Sequence, residues 1–341
     1  MPKPTRSEIR EHRRFLRRQK VHEKKYQRRF YSWLLSISKS AANQVSEGNF
    51  APELDMSSID NLYKSLYLDV TISEAKIAWE DEPKTKGRKD LIDDLSNLLL
   101  GDGASPVNIW RSLLNEFITV RIASRIREVE QTTRDRIAVL IERGIANGDG
   151  ASEVAKAIRN DRGYNRNRSL AIARTETVTA ANQGKYLAAY TSPYEKEKRW
   201  LPTVDSRTRA SHRAMLDTPW IPLTQDFWLA NAKGMLEPAQ YPGANTLSAS
   251  NVVSCRCSLS TRTKFDANGP VLKKSLHKSK KGAKLLFTTE IQAIDPKDGT
   301  LKKWGGEVVK ASNWEEAEQW CQEHGKGYLK VVGYFVEEIE N

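Results

Sequence analysis

From Ile9 to Val45 the chain contains neither proline nor glycine, the two residues that most often end a helix. In the second half of this stretch apolar residues recur every three or four positions, as on one face of an α-helix: Tyr26, Phe30, Trp33, Leu34, Ile37, Ala41 and Val45. The first half carries charge on nearly every side. The spacing therefore predicts one long helix whose first half projects from the body of the protein.

Positive charge is concentrated at the same end of the chain. The formal net charge is +12, and residues 1–30, here called the N-terminal arm, hold twelve Lys or Arg against three Glu. Such an arm favours a polyanionic partner, either nucleic acid or an acidic protein, although a solvated surface helix is the alternative. The predicted contact residues are Arg13, Arg14, Arg17, Arg18, Lys20, Lys24 and Lys25. A projecting arm also predicts that removal of residues 1–25 leaves the body folded.

Length and pattern predict an α+β protein of two or three domains, with a mostly helical N-terminal half. The predicted regions are 1–105 (helical, with the basic arm), 106–197 (helical), 198–265 (a compact α+β core), 266–284 (a basic linker) and 285–341 (a small α+β module).

Periodicity places the individual elements. Helices are predicted around Leu62–Ala75, Leu91–Leu100, Ile109–Ile141, Val154–Ile158, Leu170–Tyr190 and Trp314–His324, with a surface loop over Asp81–Lys89. Strands are predicted at Leu285–Ile294, Val308–Val309 and Tyr328–Val336, with a turn over Asp295–Thr300.

Several classes of protein are excluded. No apolar stretch approaches the eighteen residues that a bilayer crossing needs, so no membrane partner is expected. The charged N-terminus lacks the pattern of a secretory signal, and three cysteines are too few and too scattered for a disulfide framework. The chain is therefore expected to begin in a reducing cytoplasm. It contains no Walker lysine motif and no His-Glu-x-x-His motif, so no catalytic residue is predicted.

One group of residues offers metal-binding chemistry. His212, Cys255 and Cys257, together with Asp205, carry the nitrogen, sulfur and oxygen donors that zinc accepts. The segments Trp200–His212 and Asn251–Leu259 are both predicted to be extended and to adjoin, which brings the histidine and the cysteines into side-chain contact. In a strand, Cys255 and Cys257 would share one face. The alternatives are a core histidine with two small buried thiols, or a cysteine nucleophile with His212 as its base.

Charged side chains near this group have two interpretations. Arg174 and Glu176 lie two positions apart on a predicted helix, so they do not face each other as a nuclease pair would. Buried ion pairs from these two residues to the Trp200 and Asp205 region are expected instead. Arg207 and Arg209, in a predicted strand, would share a face and bind an acidic partner or pair with Asp205, Asp217 or Asp226.

The order of motifs between residues 130 and 262 is more specific than any motif alone. The elements are Ile141–Gly148, Val154–Ile158, Ala173–Glu176, Asn182 with Gly184, Lys198–Trp200, Asp205–His212, Tyr241–Gly243 and Asn251–Cys257. In this order they resemble the phage Mu F-like minor head protein family, also described as the phage head morphogenesis family.

The resemblance implies a structural minor capsid protein of a tailed phage, associated with the portal and involved in head assembly and in genome packaging or delivery. Its implied partners are the portal protein, other head proteins and packaged double-stranded DNA, and its implied location is the interior of the virion head, after assembly in the host cytoplasm. The resemblance implies no cofactor, and the zinc site considered above remains one of the alternatives for His212, Cys255, Cys257 and Asp205. The alternatives are a phage-delivered enzyme or toxin and a plain DNA-binding protein. The enzyme alternative is disfavoured because residues 285–341 contain a single histidine, His324, and a single cysteine, Cys321, with scattered glutamates, which is too little for a convincing active site.

Overall fold

The computed structural model describes residues 4–83, 106–117, 123–267, 269–271, 273, 285–294, 301–305, 309–311, 314–324 and 329–335. The chain divides into two compact units, the first formed by Met1–Lys84 with Pro106–Val271 and the second by Thr85–Ser105 with Leu272–Asn341. The predicted α+β class with long N-terminal helices is confirmed. Within the first unit, helices on both sides of residues 84–106 share one hydrophobic core, whereas residues from Trp200 to Leu259 form a second hydrophobic cluster.

Six helices build most of the first unit. They are α1 (Arg6–Ser46), α2 (Ser58–Glu80), α3 (Pro106–Phe117), α4 (Ala123–Asn147), α5 (Ala151–Asn160) and α6 (Arg162–Thr191). A capping box of Thr5 and Glu8 starts α1, so the predicted long helix is confirmed. The single helix predicted over Ile109–Ile141 is two helices in the structure. The helix predicted at Leu91–Leu100 lies outside the described residues.

The first half of α1 does not project from the body, contrary to the prediction. Phe15 is fully buried, and Glu8 and Gln19 are also buried. The helix packs along α6 and also contacts α2, α4 and α5. The charged residues of this half are not distributed evenly around the helix. Acidic and polar side chains such as Glu8 and Gln19 face the core, and most of the basic side chains face outward. Removal of residues 1–25 would therefore remove part of the core, which contradicts the predicted independence of the body.

Helix α6 runs through the centre of the first unit and is buried on nearly every side from Ile172 to Ala189. Small residues allow its neighbours to approach closely. A Cβ added at Gly184 would overlap the carbonyl oxygen of Thr71 and lie 3.1 Å from the backbone nitrogen of Ala75, both in α2. Only glycine permits this contact between the two helix backbones.

The β-structure of the first unit follows α6. Strand β1 (Lys196–Leu201) lies between β2 (Ile221–Pro222) and β5 (Ser258–Thr263) in a three-stranded antiparallel sheet, with Trp200 opposite Leu259. Two hairpins accompany this sheet, formed by β3 (Phe227–Ala230) with β4 (Leu236–Ala239), and by β6 (Phe265–Asp266) with β7 (Gly269–Pro270). The short helices α7 (Ala210–Ala214) and α8 (Ala249–Val252) connect them. The predicted linker at 266–284 thus begins inside a hairpin, and its residues 274–284 lie outside the described part.

The second unit contains a small antiparallel sheet. Strand β8 (Leu285–Ile294) pairs with β11 (Leu329–Phe335) on one side and with β9 (Leu301–Gly305) and β10 (Val309–Ala311) on the other. Helix α9 (Trp314–His324) contacts β10 and β11. The predicted bounds of β8 and α9 are confirmed, whereas β9 was not predicted and the turn predicted at Asp295–Thr300 lies outside the described residues. Among the described helices of both units, none has the length and apolar character needed to cross a membrane.

Candidate functional site

His212, Cys255 and Cys257 lie together in the first unit, as their predicted proximity requires. The His212 Nδ1 atom is 3.3 Å from the Cys257 Sγ atom and 3.6 Å from the Cys255 Sγ atom. All three residues are buried, with 2%, 4% and 2% exposure for His212, Cys255 and Cys257. We call these residues the His–Cys–Cys cluster.

Local structure explains how residues so distant in sequence meet. His212 is held by the short helix α7, and the two cysteines stand on the irregular segment between α8 and β5. The prediction that Cys255 and Cys257 lie within a strand is wrong, because β5 begins only at Ser258. The predicted strand carrying Arg207 and Arg209 is also absent, since β1 ends at Leu201 and a turn follows.

Asp205, the fourth predicted zinc ligand, does not join the cluster. Its carboxylate accepts two hydrogen bonds from the Arg256 guanidinium, at 2.6 and 2.7 Å, and one from the backbone N–H of Arg207. Hydrogen bonds from Arg256 hold the pKa of Asp205 well below its usual range. The Arg207 side chain also pairs with Asp205 at 3.7 Å, one of the outcomes expected for it. Asp205 therefore fixes the Cys255–Cys257 segment through Arg256, which stands between the two cysteines.

The surroundings of the cluster are aromatic and tightly bonded. The Trp200 ring meets the His212 ring edge to face, with 5.5 Å between centroids. The backbone N–H of Cys257 donates to the Cys255 sulfur at 3.4 Å. Hydrogen bonds from Cys257 and from His212 lower the pKa of the Cys255 thiol, whereas burial raises that of Cys257. The His212 Nε2 atom has no hydrogen-bond partner among the described residues.

Asn182 bonds helix α6 to this region. Its amide nitrogen donates to the carbonyl oxygens of Pro242 (3.1 Å) and Cys257 (3.0 Å), and its amide oxygen accepts from the Leu259 N–H (2.8 Å). The side chain is fully buried. One amide thus satisfies three backbone groups in the β-structure that follows α6 (residues 196–271, called the β-region), and this requires both a donor and an acceptor.

Replacement of Asn182 by Asp is expected to destabilise the protein in a pH-dependent manner. The new carboxyl keeps an acceptor for Leu259 but sets an oxygen against two carbonyl groups, so we expect the free energy of unfolding to fall by about 3 kcal/mol. Only the protonated carboxyl can donate, which raises its pKa in the folded state above the unfolded value. The loss should therefore grow as the pH rises above about 4. Urea unfolding at pH 4.5 and pH 8 measures it.

The matched control is Asn167→Asp, because Asn167 is exposed on the same helix. It should change the free energy of unfolding by less than about 0.5 kcal/mol at either pH. An Asn182→Asp protein as stable as the wild type, or equally weakened at both pH values, would contradict the assigned hydrogen bonds.

A second buried network was not predicted from the sequence. Glu176 accepts hydrogen bonds from Tyr67 (2.7 Å) and Arg125 (3.1 Å), and Arg125 also donates to the Gly243 carbonyl at 2.9 Å. Gly243 has φ +89°, and a Cβ there would lie 2.5 Å from the Thr179 hydroxyl, so the turn after Pro242 requires glycine. The network joins α2, α4 and α6 to the Tyr241–Gly243 turn.

Arg174 and Glu176 do form ion pairs, but not with the Trp200 and Asp205 region as predicted. Arg174 pairs with Glu23 of α1 at 2.8 Å, and Glu176 pairs with Arg125 of α4. Glu23 was assigned to a different predicted region and Arg125 to a different predicted helix, and nothing in the local sequence pattern identifies either residue as a partner.

The Lys198–Trp200 segment of β1 is buried throughout. Lys198 and Trp200 share one face, where Lys198 donates to the Gln240 carbonyl at 3.0 Å and burial lowers its pKa to about 7. Arg199 points the other way, to Glu8 of α1 at 3.5 Å and to the carbonyl oxygen of Leu216. This strand therefore links the β-region to α1.

His12 adds a further link between α1 and the β-region. Its two ring nitrogens contact the Ser258 hydroxyl (2.7 Å) and the Thr203 hydroxyl (3.1 Å), and Thr203 in turn donates to the Arg256 carbonyl. Burial, with Lys185 and Arg256 nearby, lowers the pKa of His12 to about 4, so the ring is neutral at pH 7. The first half of α1 thus reaches the segment that carries the two cysteines.

The opposite side of α1 is strongly basic. Two of the predicted contact residues are already paired, Arg18 with Glu74 and Glu11, and Lys25 with Asp69. Eight exposed cations on this side of the helix, none with an ion pair among the described residues, form what we call the cationic face: Arg6, Arg10, Arg13, Arg14, Arg17, Lys20, Lys24 and Arg28. At 100° per residue they fall within about a third of the helix circumference, along about 33 Å.

The first unit thus contains an α+β region in which the central helix α6 is hydrogen-bonded to the small sheet and its loops through buried side chains such as Asn182. In a comparison with known families, residues 135–260 match the family described as Phage Mu protein F like protein. The match confirms the resemblance to the phage Mu F-like family over this part of the chain. No curated protein and no solved structure matches the chain significantly.

Proposed function

We propose that the chain is a structural minor head protein of a tailed phage, which lies at the portal inside the virion and acts in head assembly and in genome packaging or delivery. The observation that carries the proposal is the match of residues 135–260 to the Phage Mu protein F like family, which points to phage head morphogenesis. The association with the portal is part of the proposal and is what the resemblance to this family implies. No catalytic step is part of the proposal.

The bonding of the motif residues supports a structural role. Asn182, Glu176 and Trp200 are all buried, and Asn182 and Glu176 serve as bonds between elements of the domain. A cysteine nucleophile must reach a substrate as a thiolate, but the sulfur atoms of Cys255 and Cys257 are enclosed by the core. The two thiols are therefore not placed to act as nucleophiles on a substrate.

A complementation experiment tests the proposal. In a phage that encodes this chain, removal of its gene should yield heads that are absent, malformed or unable to deliver DNA, and wild-type protein supplied in trans should restore them. Normal infectious heads without the chain would contradict the proposal.

The cationic face supports contact with packaged double-stranded DNA. The three glutamates of the N-terminal arm face inward, Glu8 toward Arg199, Glu11 toward Lys185 and Glu23 toward Arg174. These three glutamates therefore neutralise cations on neighbouring elements of the fold, and they do not neutralise the cationic face on the outward surface of α1. A row of cations about 33 Å long spans close to one helical turn of a duplex, and neutralising phosphates along it would release counterions.

Neutralising three residues of the cationic face is expected to weaken DNA binding and its salt dependence. In the variant Arg13→Gln, Arg17→Gln and Lys24→Gln, the slope of log K against log salt concentration should fall by about 2 to 3, because each lost phosphate contact removes about 0.9. Fluorescence anisotropy with a short duplex over a salt series measures it.

The control removes the same net charge elsewhere. Arg127, Arg143 and Lys156 are exposed on α4 and α5, and their replacement by Gln should leave the slope nearly unchanged. If both triple variants lose binding equally, the cationic face is not the DNA contact.

A further inference from the structure

We propose that the His–Cys–Cys cluster binds a zinc ion, which holds α7 against the segment that precedes β5. The inference rests on the geometry of the three side chains and is independent of the role proposed above for the whole protein. No other group of three His, Cys, Asp or Glu side chains in the described part of the chain has donor atoms this close together.

The separations between the donor atoms are those of ligands around one ion. Zinc bonds of about 2.0–2.1 Å to nitrogen and about 2.3 Å to sulfur, at a tetrahedral angle, place the nitrogen about 3.5 Å from each sulfur. The Nδ1 atom of His212 lies 3.3 Å from Cys257 Sγ and 3.6 Å from Cys255 Sγ. The three donor atoms all lie within 4.8 Å of one another.

The donor types also fit zinc. Two thiolates with one imidazole form a soft, mixed set that zinc accepts, whereas magnesium and calcium prefer oxygen. One sulfur already accepts a hydrogen bond, from the Cys257 N–H to Cys255, and such bonds orient thiolate ligands in metal sites. Arg256, held by Asp205, adds a positive charge beside the two thiolates.

The location gives the ion a structural task. Helix α7 has only five residues and the cysteine segment has no regular structure, so neither stabilises itself. An ion bonded to His212 on one side and to both cysteines on the other joins them directly. His212, Cys255 and Cys257 are the three protein donors of this site, and Asp205 is not among them because it is bound to Arg256.

Metal analysis of the full chain tests the proposal. Protein purified under reducing conditions without chelator should contain about one zinc per chain, and Cys257→Ser should contain less than about 0.2. Cys321→Ser is the matched control, because Cys321 lies on α9 in the second unit, and it should keep the full zinc content.

A second measurement keeps the test decisive if Cys257→Ser fails to fold. Wild-type protein freed of zinc with a chelator should bind Co²⁺ and show thiolate-to-cobalt charge-transfer absorption, and added zinc should displace it and raise the melting temperature. Folded wild-type protein with less than about 0.1 zinc per chain and no cobalt absorption would overturn the proposal. A disulfide between Cys255 and Cys257 in the purified protein would overturn it as well, because it removes both thiolate donors.

Discussion

Deletion of residues 1–25 is expected to abolish cooperative folding of the first unit. The deletion removes Phe15, whose side chain is fully buried, and truncation of such a core phenylalanine alone costs about 3–5 kcal/mol. It also removes the ion pairs of Glu8 with Arg199 and of Arg18 with Glu74, together with the part of α1 that covers α6. Losses of this size are comparable with the whole stability of a typical domain, about 5–15 kcal/mol.

Circular dichroism during thermal unfolding measures this effect. The variant Arg13→Gln, Arg17→Gln and Lys24→Gln is the control, since it removes exposed charge from the same helix and leaves every inward contact in place. It should melt within a few degrees of the wild type. A truncated protein that unfolds cooperatively at the wild-type temperature would show that α1 is not part of the core.

Replacement of Gly184 by Ala is the point substitution with the largest expected effect on stability. On helix propensity alone the change should stabilise α6 by about 1 kcal/mol. The added Cβ would instead collide with the Thr71 carbonyl and approach the Ala75 nitrogen, which are backbone atoms of α2 and cannot rotate away. Because α2 and α6 must move apart, we expect the free energy of unfolding to fall by about 3 kcal/mol or more.

Gly163 provides the same substitution in the same helix without the contact. A Cβ at Gly163 meets no atom within 4 Å, so Gly163→Ala should leave stability unchanged or raise it by up to about 1 kcal/mol. Urea unfolding of the two variants measures the difference between them. If both variants change stability equally, the close approach of α2 and α6 is not as the structure has it.

Elements set by local pattern could be predicted from the sequence. The long helix α1, strand β8 and helix α9 follow from periodicity and from the absence or presence of helix breakers. The proximity of His212 to Cys255 and Cys257 was also predicted, but from a wrong premise, because His212 lies on a short helix and the cysteines on an irregular segment rather than in two strands.

Partners distant in sequence could not be predicted in the same way. The arginine-rich half of α1 has the composition of a projecting arm. In the structure, however, Glu8, Glu11 and Glu23 form ion pairs with buried or half-buried cations on β1 and α6, and these hold this half against the fold. Glu176 pairs with Arg125, and nothing in the local sequence distinguishes that arginine from its neighbours. Buried ion pairs depend on which helix faces meet in the fold, and the periodicity within one segment does not reveal the helix that it will contact.

Quantification of the chain in purified, DNA-filled heads, with its position relative to the portal vertex, tests the central claim most directly. A structural minor head protein should be present in a fixed number of copies per particle, located at the portal vertex, and retained when Gly163→Ala replaces the wild type. Heads that lack the chain, or that contain it in variable amounts without a fixed position, would contradict the structural role proposed for it.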